Sequence, residues 1–149
     1  MISIFIFITK EGLKVSKVTQ VPYLAIAVKD LEKASRFFEE KFGGVVSEIG
    51  GVPSEGYRDI VVQVGDFHLY LMEPTSEESV IAKYIANHGE GIHHVCFCYP
   101  DYKEAVAQLR QENLNILDRT NFSFIHPKDA YGVLIELAPE NNEPRAQKN

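Results

Sequence analysis

The stretch YLAIAVKDLEKA at residues 23–34 returns as HVCFCYPDYKEA at residues 94–105, with Tyr23 over His94, Asp30 over Asp101 and Ala34 over Ala105 at a constant offset of 71. Each copy opens with a short apolar run of strand length and passes through an aspartate into a segment of helical spacing. In the first copy Leu31, Ala34, Phe37, Phe38 and Phe42 recur on one face, Asp30 is the candidate N-cap, and Gly43 and Gly44 stop the helix in the way a left-handed C-terminal glycine does. In the second, Tyr102, Ala105, Val106 and Leu109 form the apolar face. Strands are predicted after the first helix at residues 45–49, 58–64 and 67–72, the last two joined by a turn at Gly65 and Asp66, and after the second at 115–117, 122–126 and 132–138. The segment YLMEP (70–74) has its counterpart in IELAPE (135–140). The pattern predicts an α+β fold of two βαβββ repeats that enclose one pocket, each too small to close a core alone. The halves are residues 21–74 and 92–140 of one domain (21–140), and residues 75–91 are the connection, with a helix-like segment SEESVIAKYIANHGEG.

A chain of 149 residues is long enough to bury most of its apolar surface in one core without staples. Its 15 Lys and Arg against 21 Asp and Glu leave a net charge of -6, which argues against nucleic acid as a partner while leaving room for a small molecule held by local cations. The two cysteines, Cys96 and Cys98, point the same way along one strand and lack disulfide geometry, which suits reduced thiols and a cytoplasmic location. The run ISIFIFIT (2–9) is too short to cross a bilayer, no basic residue precedes it and no small-residue cleavage site follows it. Residues 1–20 are therefore expected to be an N-terminal extension or an extra edge strand, with no membrane as partner. The polar tail at 141–149 is expected to be disordered.

Alternation along the strands sends Tyr23, Ala25 and Ala27 to one face, and likewise His68, Tyr70 and Met72, then His94, Cys96 and Cys98, then Leu134, Glu136 and Ala138. The repeat relates Tyr23 to His94 and Tyr70 to Glu136, so a two-fold arrangement of the halves brings all four to one pocket. A single strand histidine is ordinarily a hydrogen-bonded interior residue. A buried His opposite a buried Glu is costly unless the two pair, bind a metal or do chemistry.

Three strings carry a family resemblance: GEGIHHVCF (89–97), ESVIAKYI (78–85) and FIHPKDAYGVLIEL (124–137). With LAIAVKDLEKA (24–34) and GDFHLYLMEP (65–74), they make the chain resemble methylmalonyl-CoA epimerase of the vicinal oxygen chelate superfamily across residues 21–139. The resemblance implies a divalent ion between the halves, held by His, Glu or Gln, His and Glu. Carried over, the second-half ligands are His94 and Glu136, while the first-half positions hold Tyr23 and Tyr70. The family's catalytic-loop Glu falls in PSEG (53–56), where Ser54 stands in its place beside Glu55. Both lost ligands belong to one half and both became tyrosine. A neutral phenol is a poor ligand for Co, Mn, Mg or Zn, so the metal is expected to be weak or absent, with His68 or Cys96 as the residues able to rebuild a site.

What the resemblance implies is an isomerase-type enzyme acting on a small acyl thioester of CoA or a carrier protein. Glu136 is the expected base, Tyr23 and Tyr70 the expected donors to an enolate oxygen, and His94 the residue that holds or protonates the base. His68, Met72, Cys96, Ser54 and Glu55 are the expected substrate contacts. Two other readings stay open: a metal-free protein that binds a small apolar molecule, and a different reaction such as a cyclisation, dehydration or lyase step in a biosynthetic pathway. Relatives of this superfamily commonly dimerise, and a homodimer is the corresponding expectation.

Overall fold

The computed structural model describes residues 15–141. The strand or extension expected at residues 2–9 and the tail from 142 on lie outside them. The first half runs β1 (Leu24–Ala27), α1 (Leu31–Phe42), β2 (Val45–Val46), β3 (Gly50–Val52), β4 (Tyr57–Val64) and β5 (Phe67–Pro74). Helix α2 (Val80–His88) connects it to β6 (Gly91–Tyr99), α3 (Tyr102–Gln111), β7 (Ile116–Asp118), β8 (Ser123–Ile125) and β9 (Ile135–Pro139).

Among the described residues these strands form one nine-stranded sheet in the order β2-β4-β5-β1-β6-β9-β8-β7, with β3 paired to β4. In each half the first strand lies parallel to the last, β1 on β5 and β6 on β9. The halves join where β1 and β6 pair antiparallel, Leu24 opposite Val95. Those two residues are repeat equivalents, so the seam lies on the local two-fold axis that relates the halves.

Helices α1 and α3 cover one face of the sheet because their apolar stripes need a partner. Leu31 of α1 and the adjacent Val28 pack on Ile60, Val62 and Leu71, and Ala105 and Val106 of α3 pack on Tyr99, Ile125 and Leu137. Leu31 and Leu71 are fully buried, each contributing about 2 kcal/mol of apolar burial. Asp30 caps α1 by accepting from the Lys33 N–H at 2.9 Å, and Gly43 ends it at φ 67°. Asp101 makes no such cap on α3; its Oδ2 accepts from the Ser16 hydroxyl at 2.6 Å instead, tying residues 15–20 along the end of β6.

One strand escaped the sequence reading. The pair Gly50 and Gly51 disguises β3, yet Gly51 has φ 148° and a Cβ there would lie 2.5 Å from the Tyr57 carbonyl oxygen. The close approach of β3 to β4 therefore requires glycine. This hairpin carries a single 3-10 turn at Pro53–Glu55 toward the opposite, concave face. There α2 packs Ile81 against Ala25, Ala27 and Met72, leaving a cavity beside it. Among the described residues no helix is long and apolar enough to cross a membrane.

Candidate active site

A cavity of about 650 Å³ opens on the concave face, lined by residues of both halves. Tyr23, Tyr70, His94 and Glu136, the four residues related by the repeat, all line it. Three of them form one hydrogen-bonded unit. Glu136 Oε2 accepts from the Tyr23 hydroxyl at 2.8 Å and lies 3.0 Å from His94 Nε2. The His94 and Glu136 side chains are each 7% exposed, so the carboxylate is shielded from bulk water while its polar contacts are made by protein. The Tyr70 ring leans on Tyr23 with centroids 4.8 Å apart, and Phe124 meets His94 edge-on at 5.4 Å, which holds the unit from both sides.

Burial, and then the charge of Glu136, push the Tyr23 phenol far above its ordinary range. It is a proton donor at every physiological pH. Tyr57, which also lines the cavity, is pushed up by burial and by the charges of Glu55, Asp59, Tyr70 and Glu136. The cavity thus presents neutral phenols beside carboxylates.

A second histidine enters through an irregularity of the strand. In the β1–β6 pairing Ala25 faces His94 while Ile26 faces Ile92, so His93 is a bulge residue with no partner in the register. Strict alternation would send His93 to the other face; the bulge lets two consecutive histidines reach the cavity. Their Nδ1 atoms are 2.8 Å apart. One ring nitrogen of this pair donates and the other accepts, the roles being set by the tautomers. Burial first, then His94 and His88, lower His93 to about 4, so it stays uncharged near neutrality. Tyr84 braces it edge-on at 4.9 Å.

Of the other expected contacts, Met72, Ser54 and Glu55 line the cavity, the last two from the exposed turn after β3. His68 and Cys96 do not. His68 shares the face of Tyr70, but it pairs with Gln63 next to the β4–β5 turn, where the long hairpin has run past the cavity. Cys96 is fully buried beneath the floor in a cluster with Tyr23, Cys98 and Ala138. The lining residues that were not anticipated include Tyr57, Asp59, His93 and Arg119. The alternation of YRDIVVQV (57–64) held the signal for Tyr57 and Asp59, whereas the bulge behind His93 left none.

A divalent ion finds a poor donor set here. Of the four positions the resemblance implies, two hold good ligands, His94 and Glu136, and the other two are tyrosine phenols, one already donating to Glu136. Among the described residues, the one trio of His, Cys, Asp or Glu with converging ligand atoms is Asp30, Glu32 and Glu73 on the outer surface. Arg58 already neutralises that trio, pairing with Glu73 at 2.6 Å and Glu32 at 2.8 Å. The cavity residues do not fit the metal that the resemblance implies.

Comparison with known proteins agrees with the fold. The pattern of the Glyoxalase/Bleomycin resistance protein/Dioxygenase superfamily matches residues 23–129. The mitochondrial methylmalonyl-CoA epimerase of Mus musculus is 34% identical over 137 residues, 86% of this chain and 77% of that protein. The crystal structure of methylmalonyl-CoA epimerase from Mycobacterium tuberculosis superimposes with a TM-score of 0.76 at 32% identity, covering 85% of this chain and 92% of that one. A methylmalonyl-CoA epimerase in complex with methylmalonyl-CoA and NH4+ does so with a TM-score of 0.76 at 28% identity, covering 87% and 100%. By its two repeated halves, its shared cavity and this match over most of its length, the chain belongs to the glyoxalase/bleomycin resistance/dioxygenase superfamily, on the side of the methylmalonyl-CoA epimerases.

Proposed function

We propose that this chain is an isomerase-type enzyme that moves the proton on C2 of a small 2-substituted acyl thioester, carried on CoA or a carrier protein, without a metal at the reacting centre. The observation that carries the reading is the buried His94–Glu136–Tyr23 unit on the cavity floor. A carboxylate held from two directions and shielded from water is a positioned base. The thioester class is supported by the epimerases the chain resembles, one of them solved with methylmalonyl-CoA.

Removal of the C2 proton by Glu136 leaves the electron pair delocalised onto the thioester oxygen. An enolate oxygen needs donors that are already in place. In the resting protein the Tyr23 hydroxyl is given to Glu136, so Tyr23 orients the base, and Tyr70, which lines the cavity with Tyr57 near it, is the phenol assigned to the enolate. His94 holds the second side of the carboxylate, and His93 behind it offers a route for the proton toward the surface. Proton NMR in heavy water with a chelator present tests this directly, using methylmalonyl-CoA and ethylmalonyl-CoA as probes. The wild type exchanges the C2 proton, Tyr70→Phe slows it by about 10² to 10³, and Glu136→Gln abolishes it for the epimer whose C2 proton faces that carboxylate. Exchange that survives Glu136→Gln unchanged refutes the assignment of the base.

The aromatic wall of Tyr23, Tyr70, Phe122 and Phe124 favours a second reading, a carrier for a small apolar molecule. Tight binding of a ligand that undergoes no exchange by the wild type would favour it.

A further inference from the structure

The loop acid that the resemblance implies is missing, because Ser54 occupies its place. A base on one face of a carbon exchanges its proton but cannot by itself invert it. Inversion needs a second group on the opposite face. Among the described residues two carboxylates are buried, Asp59 at 3% exposure and Glu136 at 5%, and both line the same cavity. They come from opposite halves, Asp59 from β4 and Glu136 from β9.

We propose that Asp59 is the second acid/base of this cavity, serving the face of the substrate carbon opposite to Glu136, so that the two together invert a stereocentre. The inference rests on the proton-transfer reading above and names the partner it lacks. On a flat sheet β4 and β9 would stand four strand spacings apart, about 19 Å. Yet Asp59 and Glu136 line one cavity together with Tyr57 and Tyr70, so the two carboxylates share a space that a flat sheet would not give them. Asp59 is aimed there by alternation: it stands directly opposite Met72, which lines the cavity, while its neighbours Arg58 and Ile60 turn to the outer face.

The step balances without a co-reactant. Glu136 as carboxylate takes the C2 proton, and the C–H electron pair moves into the thioester as an enolate. Asp59 as carboxylic acid then gives its proton to the other face of C2, and the enolate pair forms the new C–H bond. Glu136 ends protonated and Asp59 ionised, and proton exchange with water resets them. The reverse reaction uses the same groups with roles exchanged.

Each separate C2 epimer of methylmalonyl-CoA, incubated in heavy water, tests the assignment. Loss of the C2 proton is read by NMR and the epimer composition of the product is read separately. The wild type interconverts the epimers. Asp59→Asn should keep deuterium exchange of one epimer within about threefold and slow interconversion at least 100-fold; Glu136→Gln should keep exchange of the other epimer only. Asp59→Glu, which retains a carboxyl, should recover part of the interconversion, an outcome that a purely structural role for Asp59 does not produce. Asp59→Asn that interconverts epimers at the wild-type rate, or that loses exchange of both epimers equally, overturns the proposal. So does one-sided exchange in Glu55→Gln, which would place the second acid on the exposed turn. A wild type that exchanges neither epimer overturns the proton-transfer reading itself, and the two failures are thereby distinguished.

Discussion

Tyr23→Phe removes one hydroxyl of the site, which bonds Glu136 and also lies within reach of Cys96. The ring stays, and with it the contact to Tyr70 and the packing over Cys96, Cys98 and Ala138; only the hydroxyl that donates to Glu136 Oε2 at 2.8 Å is removed. A hydrogen bond to a charged, buried acceptor contributes about 1.5–3 kcal/mol, so the variant should be about 2 kcal/mol less stable near neutral pH. The same bond has an alkaline signature. Burial and Glu136 hold the folded phenol protonated far above 10, whereas the unfolded chain ionises at its ordinary value of 10. Above that pH the folded state binds more protons than the unfolded one, and the wild type loses about 1.4 kcal/mol for each pH unit. Phenylalanine has no such loss, and Tyr57, raised in both proteins, cancels in the difference. The stability gap should therefore narrow from about 2 kcal/mol at neutral pH to near zero around pH 11.5, where roughly 1.5 units of loss have accumulated. Urea unfolding followed by circular dichroism at four pH values between about 7 and 11.5 measures it. A gap under about 0.5 kcal/mol at neutral pH, or one that does not change with pH, refutes the account of Tyr23 as a buried donor to a charged Glu136.

The acid side belongs to His93, whose folded value is lowered to about 4 from its ordinary 6.5. Between those values the unfolded chain takes a proton that the folded one refuses, so stability should fall with decreasing pH by up to about 3 kcal/mol, and His93→Gln should flatten that limb; parallel curves for the two proteins exclude the effect. Elemental analysis of protein purified without added metal should find well under one divalent ion per chain. A stoichiometric ion that survives a chelator wash contradicts the poor donor set described above. Tyr23→His combined with Tyr70→Glu should raise Co or Mn affinity by orders of magnitude on calorimetric titration, since it rebuilds four ligands on one scaffold; unchanged affinity would mean that the strand backbones no longer converge on an ion.

The repeat at residues 23–34 and 94–105 was legible without coordinates because hydrophobic period is a local property: each strand and helix must bury its own stripe. Asp30, Gly43 and the turn at Gly65 and Asp66 announced themselves for the same reason. The short β3 did not, because glycine carries no period and its strand character comes from the neighbour it lies against.

For the site, the sequence by itself determined the parity of the strands and the pairing of the halves, which together name Tyr23, Tyr70, His94 and Glu136 as cavity residues. Parity tells which face a side chain leaves from, and nothing about how far along the strand the cavity extends. That is why His68 and Cys96 passed the sequence test, one beyond the cavity's edge and the other beneath its floor. Only the tertiary structure decided which side chains meet: that the Tyr23 hydroxyl is given to Glu136, that a bulge turns His93 inward beside His94, and that Asp59 of one half lines the same cavity as Glu136 of the other. Those relations join residues from 77 to 113 positions apart or depend on one skipped register step, and chain connectivity places no constraint on either until the core has closed around them.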